Sequence, residues 1–489
     1  MTDDPQQLRS VVAQRLGEKK LILVSNREPY VHDYVGGELK CTTPASGLVT
    51  ALEPVMCACG GTWVAHGSGN ADRELVDGEN RIIVPPHAGN YCLKRVWLSK
   101  AEEEGYYYGF ANQTLWPLCH LAHTRPRFDA VHWRTYKAVN WKFAQAVLQE
   151  AGSDPALVFV QDYHFALLPK MLKENRPDLL IAHFWHIPWP NREAFAICPW
   201  GNELLEGLLG NDLLGFQTQQ HCNNFMRTVD GALENIVDYE QFAVLHRGHR
   251  TLVRPFPIGV DSEAISRYAQ SPEAVAHTDR LKHELGLSGQ MVGLGVDRID
   301  YTKGIPERFL AIDRFLERHP EYQKKFTFLQ IGPVSRININ EYKALNDELY
   351  HLMVDINHKH GADRWTPIHM IKGNYPREAL VAFFRLADVC IVSSVDDAMN
   401  LVAKEFVSAR PDGNAALILS RFAGAAEELS EAVLVNPYDI DGFADAIKQA
   451  LEMPQQEKER RMARMWQAVA ENNTYKWATK IITEISRLA

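Results

Sequence analysis

The sequence predicts an α/β protein built from two Rossmann-like domains that face a central cleft. Three observations predict it. Short β-branched apolar runs recur along the chain, longer amphipathic stretches separate them, and the alternation starts afresh once near the middle. The first series is LILVSN (21–26), LVFVQDY (157–163), LIAHFWH (180–186) and LLGFQT (213–218). The second is MVGLGVDR (291–298), FTFLQIG (326–332), VCIVSS (389–394) and ALILS (416–420). These runs are apolar on both faces, as parallel strands covered by helices must be. Between them, HFALLPKMLKEN (164–175) and IPERFLAIDRFLERHP (305–320) carry apolar residues at helical spacing. The Pro- and Gly-rich VRPFPIGVD (253–261) separates the two series. Domains are therefore expected over 1–261 and 262–474. An amphipathic helix in YKWATKIITEISRL closes the chain over 475–489.

The 489 residues suffice for two cores, and the net charge of −9 argues against a nucleic-acid footprint. No apolar stretch is long enough to span a membrane, and MTDDPQQLRSVVAQRLGEKK lacks the apolar segment of a secretory signal. Eight scattered cysteines suit reduced thiols better than a disulfide framework. A cytoplasmic protein without membrane or nucleic-acid partners is expected, and a homo-oligomer is compatible with the sequence. Cys57 and Cys59 form C-x-C with no second pair at zinc spacing. His183 and His186 fall on opposite faces of a strand, so no metal is expected there. Neither a P-loop nor a G-x-S-x-G elbow occurs.

Polar residues gather where the strands end. Arg27 follows the first run; Asp162, Tyr163 and His164 follow the second; His186 ends the third. Arg298, and Lys303 before Gly304, follow GLGV, and Arg336 follows FLQIG. Any one of these reads equally as a paired loop residue. Four cations at three strand ends of an acidic protein point to anionic ligands, because function sits on those loops. Arg matches phosphate oxygens bidentately and Lys supplies a compact charge. The helix opening near Ile305-Pro306 would add backbone N–H groups, making Arg298 and Lys303 a diphosphate site. Ser46-Gly47 precedes an apolar helical run, and Asp397 lies at a strand end before the helical MNLVAKEFVSA. Glu405, two turns into that helix, reads as a solvated carboxylate or as an acceptor for ribose hydroxyls.

The segments LLGFQT, RIDYTKGIPERFLA, MNLVAKEF, SRFAGAAEEL and VNPYD together resemble retaining glycosyltransferase family 20, from about Leu21 to Tyr438. The resemblance implies the two-domain glycosyltransferase B architecture, with the last helix crossing back to the N-terminal domain. It implies transfer of glucose from UDP-glucose to glucose 6-phosphate, giving trehalose 6-phosphate and UDP. It implies no metal or tightly bound cofactor. Ser46, Gly47, Arg298, Lys303, Phe384, Met399, Asn400, Leu401, Val402 and Glu405 match donor-binding positions. Arg27, Tyr107, Trp116, Asp162 and Arg336 match acceptor positions, and Asp162, His186, Arg298, Lys303 and Asp397 match the catalytic set. The chain departs from the family pattern at Ser46-Gly47, usually Gly-Gly. It departs again at Asp396-Asp397-Ala398, usually Arg-Asp-Gly or His-Asp-Gly. A related activity, ADP-glucose with glycerol 3-phosphate, and a sugar-phosphate-binding regulator without transfer are the competing readings.

Overall fold

The apolar runs become parallel strands because each is covered on both faces, and two separate sheets result. The computed structural model describes residues 4–44 and 47–488. By internal contacts the chain divides into two units: Met1–Ile258 with Thr474–Ala489, and Gly259–Asn473.

The first unit holds a sheet of ten strands. Its order is Ile236–Asp238, Ala243–His246, His249–Pro255, Leu213–Phe216, Leu180–Phe184, Ala156–Gln161, Lys20–Arg27, Thr62–His66, Tyr91–Val96, Arg81–Val84. The strands from His249–Pro255 through Tyr91–Val96 are parallel, and antiparallel strands finish both edges. Read outward from Lys20–Arg27, one side runs forward through Thr62–His66 and the other starts at Ala156–Gln161. The strand order therefore reverses between Lys20–Arg27 and Ala156–Gln161, which is where open α/β sheets bind ligands. An antiparallel hairpin, Val31–Val35 with Glu38–Thr42, projects beyond the first strand.

The second unit holds six parallel strands in the order Ile368–Lys372, Phe326–Gly332, Met291–Val296, Val389–Val392, Ala416–Ser420, Val433–Val435. In chain order this is the doubly wound 3-2-1-4-5-6 arrangement. Its reversal point lies between Met291–Val296 and Val389–Val392. Phe309, Phe315, Phe326, Phe328, Ile391, Ile418 and Phe443 form its buried centre.

Elements differ from expectation where site chemistry or proline intervenes. LIAHFWH pairs only over Leu180–Phe184, because beyond it the His186 N–H turns to the Asp162 carboxylate at 3.2 Å. VCIVSS pairs only over Val389–Val392, and Ser393 and Ser394 use their hydroxyls on Gly304 and Asp397 instead. The helix expected from 164 begins at Leu168, with Pro169 in its first turn. The one expected to 320 ends at Arg318, since Pro320 disfavours helix at the residue before it. The unit boundary falls at Ile258, three residues before position 261, and the last helix spans Thr474–Ser486. That helix packs on Asp4–Leu16 and Gly47–Cys59 and across the strands at 180–184 and 213–216. Trp477 anchors it, buried against Phe159 and Phe184, with its indole N–H donated to the Phe256 carbonyl at 3.1 Å.

Candidate active site

At the reversal point of the first sheet, a bulge between Ser25 and Arg27 breaks the register with Thr62–His66. Bulges re-aim side chains, and Arg27 emerges exposed between half-buried Asn26 and buried Glu28. Its backbone is held by the Ser25 hydroxyl, which donates to the Arg27 carbonyl at 2.7 Å and accepts from the Trp63 indole at 2.7 Å. The adjacent strand delivers Asp162 at φ 72°, a left-handed conformation that non-glycine residues adopt at a cost. Asp162 accepts from the His186 N–H, and its carbonyl accepts from His183 Nε2 at 3.0 Å. His186 contacts Gln161 Oε1 at 2.9 Å and lies edge-on to Phe184. Burial drives the pKa of His186 down to about 3 and that of His183 to about 4, so both rings are neutral. Tyr107 lies on a twelve-residue π-helix, Glu104–Leu115, a form concentrated at functional sites. Its ring stacks on His164 at 5.8 Å. Trp116 begins the next helical turn, against Tyr163 and His120. Gly47 is the exposed first residue of helix Gly47–Cys59; Ser46 lies outside the described residues.

The reversal point of the second sheet carries the charged group. Arg298 leaves Met291–Val296 with its side chain 39 % exposed, 4.0 Å from Asp300. Asp300 is fully buried and also lies 3.6 Å from Arg336, so two guanidinium groups share one carboxylate. Burial alone would raise the Asp300 pKa, but Arg336, Arg298 and Lys303 outweigh it and hold the carboxyl ionised. Lys303 sits on the one-turn segment Tyr301–Lys303, ahead of Gly304. Gly304 is left-handed at φ 59°, and a Cβ there would run into the Ser393 carbonyl. This glycine lets helix Ile305–Arg318 start against the neighbouring strand end. Lys303 Nζ lies 2.6 Å from Asp397 Oδ2, which also accepts from Ser394 at 3.1 Å and Asn400 at 3.2 Å. Burial works against the Lys303 charge, and Asp397 with Asp297 restores it, leaving its pKa above the usual lysine value. Below this group the buried Arg308 ties Asp297 (2.7 Å), Gln330 (2.7 Å) and Ser393 (3.0 Å) together and fixes both strand ends. Asn400, at φ 103°, caps helix Leu401–Ala409 by accepting from the Ala403 N–H. The first N–H groups of that helix, at Leu401 and Val402, have no intrahelical acceptor and suit an anion.

Among the expected donor and catalytic residues, Arg298, Lys303, Asp397, Met399, Asn400, Leu401 and Val402 fall at this one end of the second sheet. Lys303 is paired with another expected site residue rather than standing alone. Arg336 is 5 % exposed and bound to Tyr342 Oη at 2.5 Å, so it belongs to the Asp300 group. The Phe384 side chain is 1 % exposed and faces the core against Phe406 at 6.1 Å, because α-helical spacing turns it inward from Arg377–Leu386. The same helix carries Arg377 in its first turn, a residue that sequence reading does not single out. Its Nε and Nη2 are buried and have no hydrogen-bond partner among the described residues. Burial raises the pKa of Glu405, and the charge of Arg377 pulls it back. An arginine in a first helical turn reads from sequence as solvated, so nothing marked it. Among the described residues no group of three His, Cys, Asp or Glu is placed to hold a metal ion, and no helix is long and apolar enough to cross a membrane.

Two reversed-order sheets with anion- and hydroxyl-directed groups at both reversal points are the plan of the two-domain, GT-B class of glycosyltransferases. Comparison with known proteins agrees. The profile of glycosyltransferase family 20 matches residues 19–487, and the chain belongs to that family. It is 37 % identical to the trehalose-6-phosphate synthase of Mycolicibacterium vanbaalenii, over 96 % of this chain and 97 % of that one. It is 36 % identical to the bifunctional trehalose-6-phosphate synthase/phosphatase of Thermoproteus tenax, matching 95 % of this chain but spanning only 63 % of that protein's length. Its fold superposes on an E. coli structure bound with UDP-2-fluoro glucose (TM-score 0.85, 32 % identity, covering 96 % of this chain and 100 % of that one). It matches equally a Burkholderia xenovorans α,α-trehalose-phosphate synthase in complex with glucose-6-phosphate (TM-score 0.85, 33 % identity, 95 % and 99 % covered).

Proposed function

We propose that this protein transfers glucose from UDP-glucose to glucose 6-phosphate with retention, giving trehalose 6-phosphate and UDP. The observation that carries the reading is the Arg298, Lys303 and Asp397 group at the reversal point of the second sheet. Lys303 has three N–H donors and spends one on Asp397, leaving two for diphosphate oxygens. Arg298 and the N-terminus of Leu401–Ala409 meet the remaining charge. Glu405 takes the ribose hydroxyls and Arg377 supplies a cation beside it. Asp397 holds the transferred glucose. In the first unit, Arg27 and Tyr107 receive the acceptor phosphate. Trp116, Asp162 and neutral His186 orient sugar hydroxyls.

The bond from the glucosyl anomeric carbon to the β-phosphate oxygen breaks. A bond to the acceptor's anomeric hydroxyl oxygen forms on the same face, and that hydroxyl's proton passes to the departing diphosphate. The protein contributes position and charge stabilisation, and no step calls for a metal or a resident cofactor. The free state of all eight cysteines fits a reducing, cytoplasmic setting.

The test is a panel of UDP-, ADP- and GDP-glucose against glucose 6-phosphate, glycerol 3-phosphate and unphosphorylated glucose, read by product mass and anomeric configuration. UDP-glucose with glucose 6-phosphate should be the productive pair. Glycerol 3-phosphate as the sole productive acceptor, or nucleotide-sugar binding with no transfer to any of them, would overturn the proposal.

A further inference from the structure

Arg95 lies within strand Tyr91–Val96 with its side chain fully buried. Its Nε donates to Glu28 Oε2 at 2.8 Å. Nη2 lies 2.7 Å from Asp72 Oδ1 and donates to the Tyr30 carbonyl at 3.0 Å; Nη1 donates to the Asp72 carbonyl at 3.2 Å. Glu28 also accepts from the Ser68 N–H (2.7 Å) and hydroxyl (3.0 Å). Asp72 accepts from the N–H groups of Gly69 (2.6 Å) and His32 (2.9 Å). One guanidinium therefore clamps residues 28 and 30, the two positions that set the direction of the chain as it leaves Arg27. The Ser25–Trp63 contacts hold Arg27 from the other side.

We propose that Arg95 is a positioning residue for the acceptor: with Glu28 and Asp72 it fixes the turn that presents Arg27. The proposal rests on Arg27 meeting the acceptor phosphate. A core arginine retained only for stability would have no need to grip both sides of a strand-end turn. Two carboxylates on one cation would leave a buried negative charge, which is costly. Glu28 titrates high and Asp72 below the usual carboxylate value, so one of the two keeps a proton. Burial pushes the Glu28 pKa up to about 8 against the pull of Arg95. The other ionisable groups that face the cluster are His32, Cys41 and His66, from the hairpin and the end of Thr62–His66. Burial raises the Cys41 thiol, and burial lowers the His66 ring to about 4, so neither supplies charge near pH 8. Losing the Glu28 proton adds a second negative charge to the cluster, whose repulsion with Asp72 loosens its hold on the turn.

The experiment is steady-state kinetics of wild type, Arg95→Met, Arg95→Lys and Glu28→Gln from pH 6.5 to 9, with both substrates varied and melting temperature recorded. Arg95→Met should raise the acceptor KM about tenfold or more while the donor KM moves far less. Arg95→Lys, which keeps the charge but cannot span Glu28 and Tyr30, should do the same; it decides the matter if the methionine variant fails to fold. The wild-type acceptor KM should climb above pH 8, and Glu28→Gln should flatten that climb. An unchanged acceptor KM in both arginine variants, with only stability or kcat reduced, overturns the proposal. So does an alkaline climb that persists in Glu28→Gln. Absence of transfer by the wild type to any sugar phosphate would instead strike the functional reading itself, before the variants are compared.

Discussion

Lys303 and His183 show how single side chains are set for their work. Lys303 is ionised because Asp397 and Asp297 more than repay its desolvation. Lys303→Ala should therefore remove a charge stabiliser from the leaving diphosphate, costing roughly 2.7–4 kcal/mol of barrier, and kcat measured at saturation checks this. His183 is set the other way. Its Nε2 is spent on the Asp162 carbonyl, and its buried Nδ1 has no partner among the described residues, so a second proton would be stranded. Its pKa is about 4 folded against 6.5 when free. Between those values the unfolded chain binds a proton that the folded chain refuses, so stability falls as pH drops from 6.5 toward 4. The contribution is on the order of 3 kcal/mol. Denaturant melts at pH 7 and pH 4.5 should show a smaller acid loss for His183→Asn than for wild type.

Among the elements, helix Ile305–Arg318 depends most on one residue. It starts beside Ser393 because Gly304 has no Cβ and tolerates φ 59°. Gly304→Ala should cost roughly 1–3 kcal/mol in backbone strain, besides the clash with the Ser393 carbonyl. Because Lys303 is the preceding residue, the donor KM should rise alongside the fall in melting temperature. What the sequence made legible at this scale follows from what neighbours must supply. Ala156–Gln161 and Phe326–Gly332 are buried at every position and announce themselves by composition. Tyr91–Val96 was not read as a strand, because YCLKRV carries Lys94 and Arg95 in its centre. Both are buried only by virtue of distant partners, Lys94 at 3.2 Å from Glu150 and Arg95 on Glu28. The π-helix Glu104–Leu115 has no sequence signature to read. Arg377 escaped for a related reason: its significance comes from Glu405, 28 positions away in the chain, which no local pattern records. The strand-end placement of Arg27, Asp162, Arg298 and Lys303 was legible because each follows an apolar run that reads as a strand.

For the whole molecule, the first unit is discontinuous and the second is not. Trp477 is the bolt of the first, filling a slot between Phe159 and Phe184. Trp477→Ala should destabilise that unit by about 3–5 kcal/mol. Hydrogen exchange should show the loss concentrated in strands 156–161 and 180–184, with the sheet of the second unit retaining its protection. The chain passes between units twice, at Ile258–Gly259 and Asn473–Thr474. Gly259 lies so close to Asn472 and Asn473 that a Cβ there would strike both, so the two passages run side by side. The boundary was legible in VRPFPIGVD to within three residues. That the last helix completes the first sheet came from the family resemblance and not from the helix's own residues, whose amphipathic pattern names no partner.

The split of the first unit also sets an order of events during synthesis. A ribosome releases residues 1–258 first, yet their sheet lacks the Trp477 side chain until the second unit has also been made. The second unit is encoded without interruption and can be finished earlier. Of these two units, the one that emerges first is thus the one that matures later, with an apolar slot waiting open on the nascent chain until helix Thr474–Ser486 arrives.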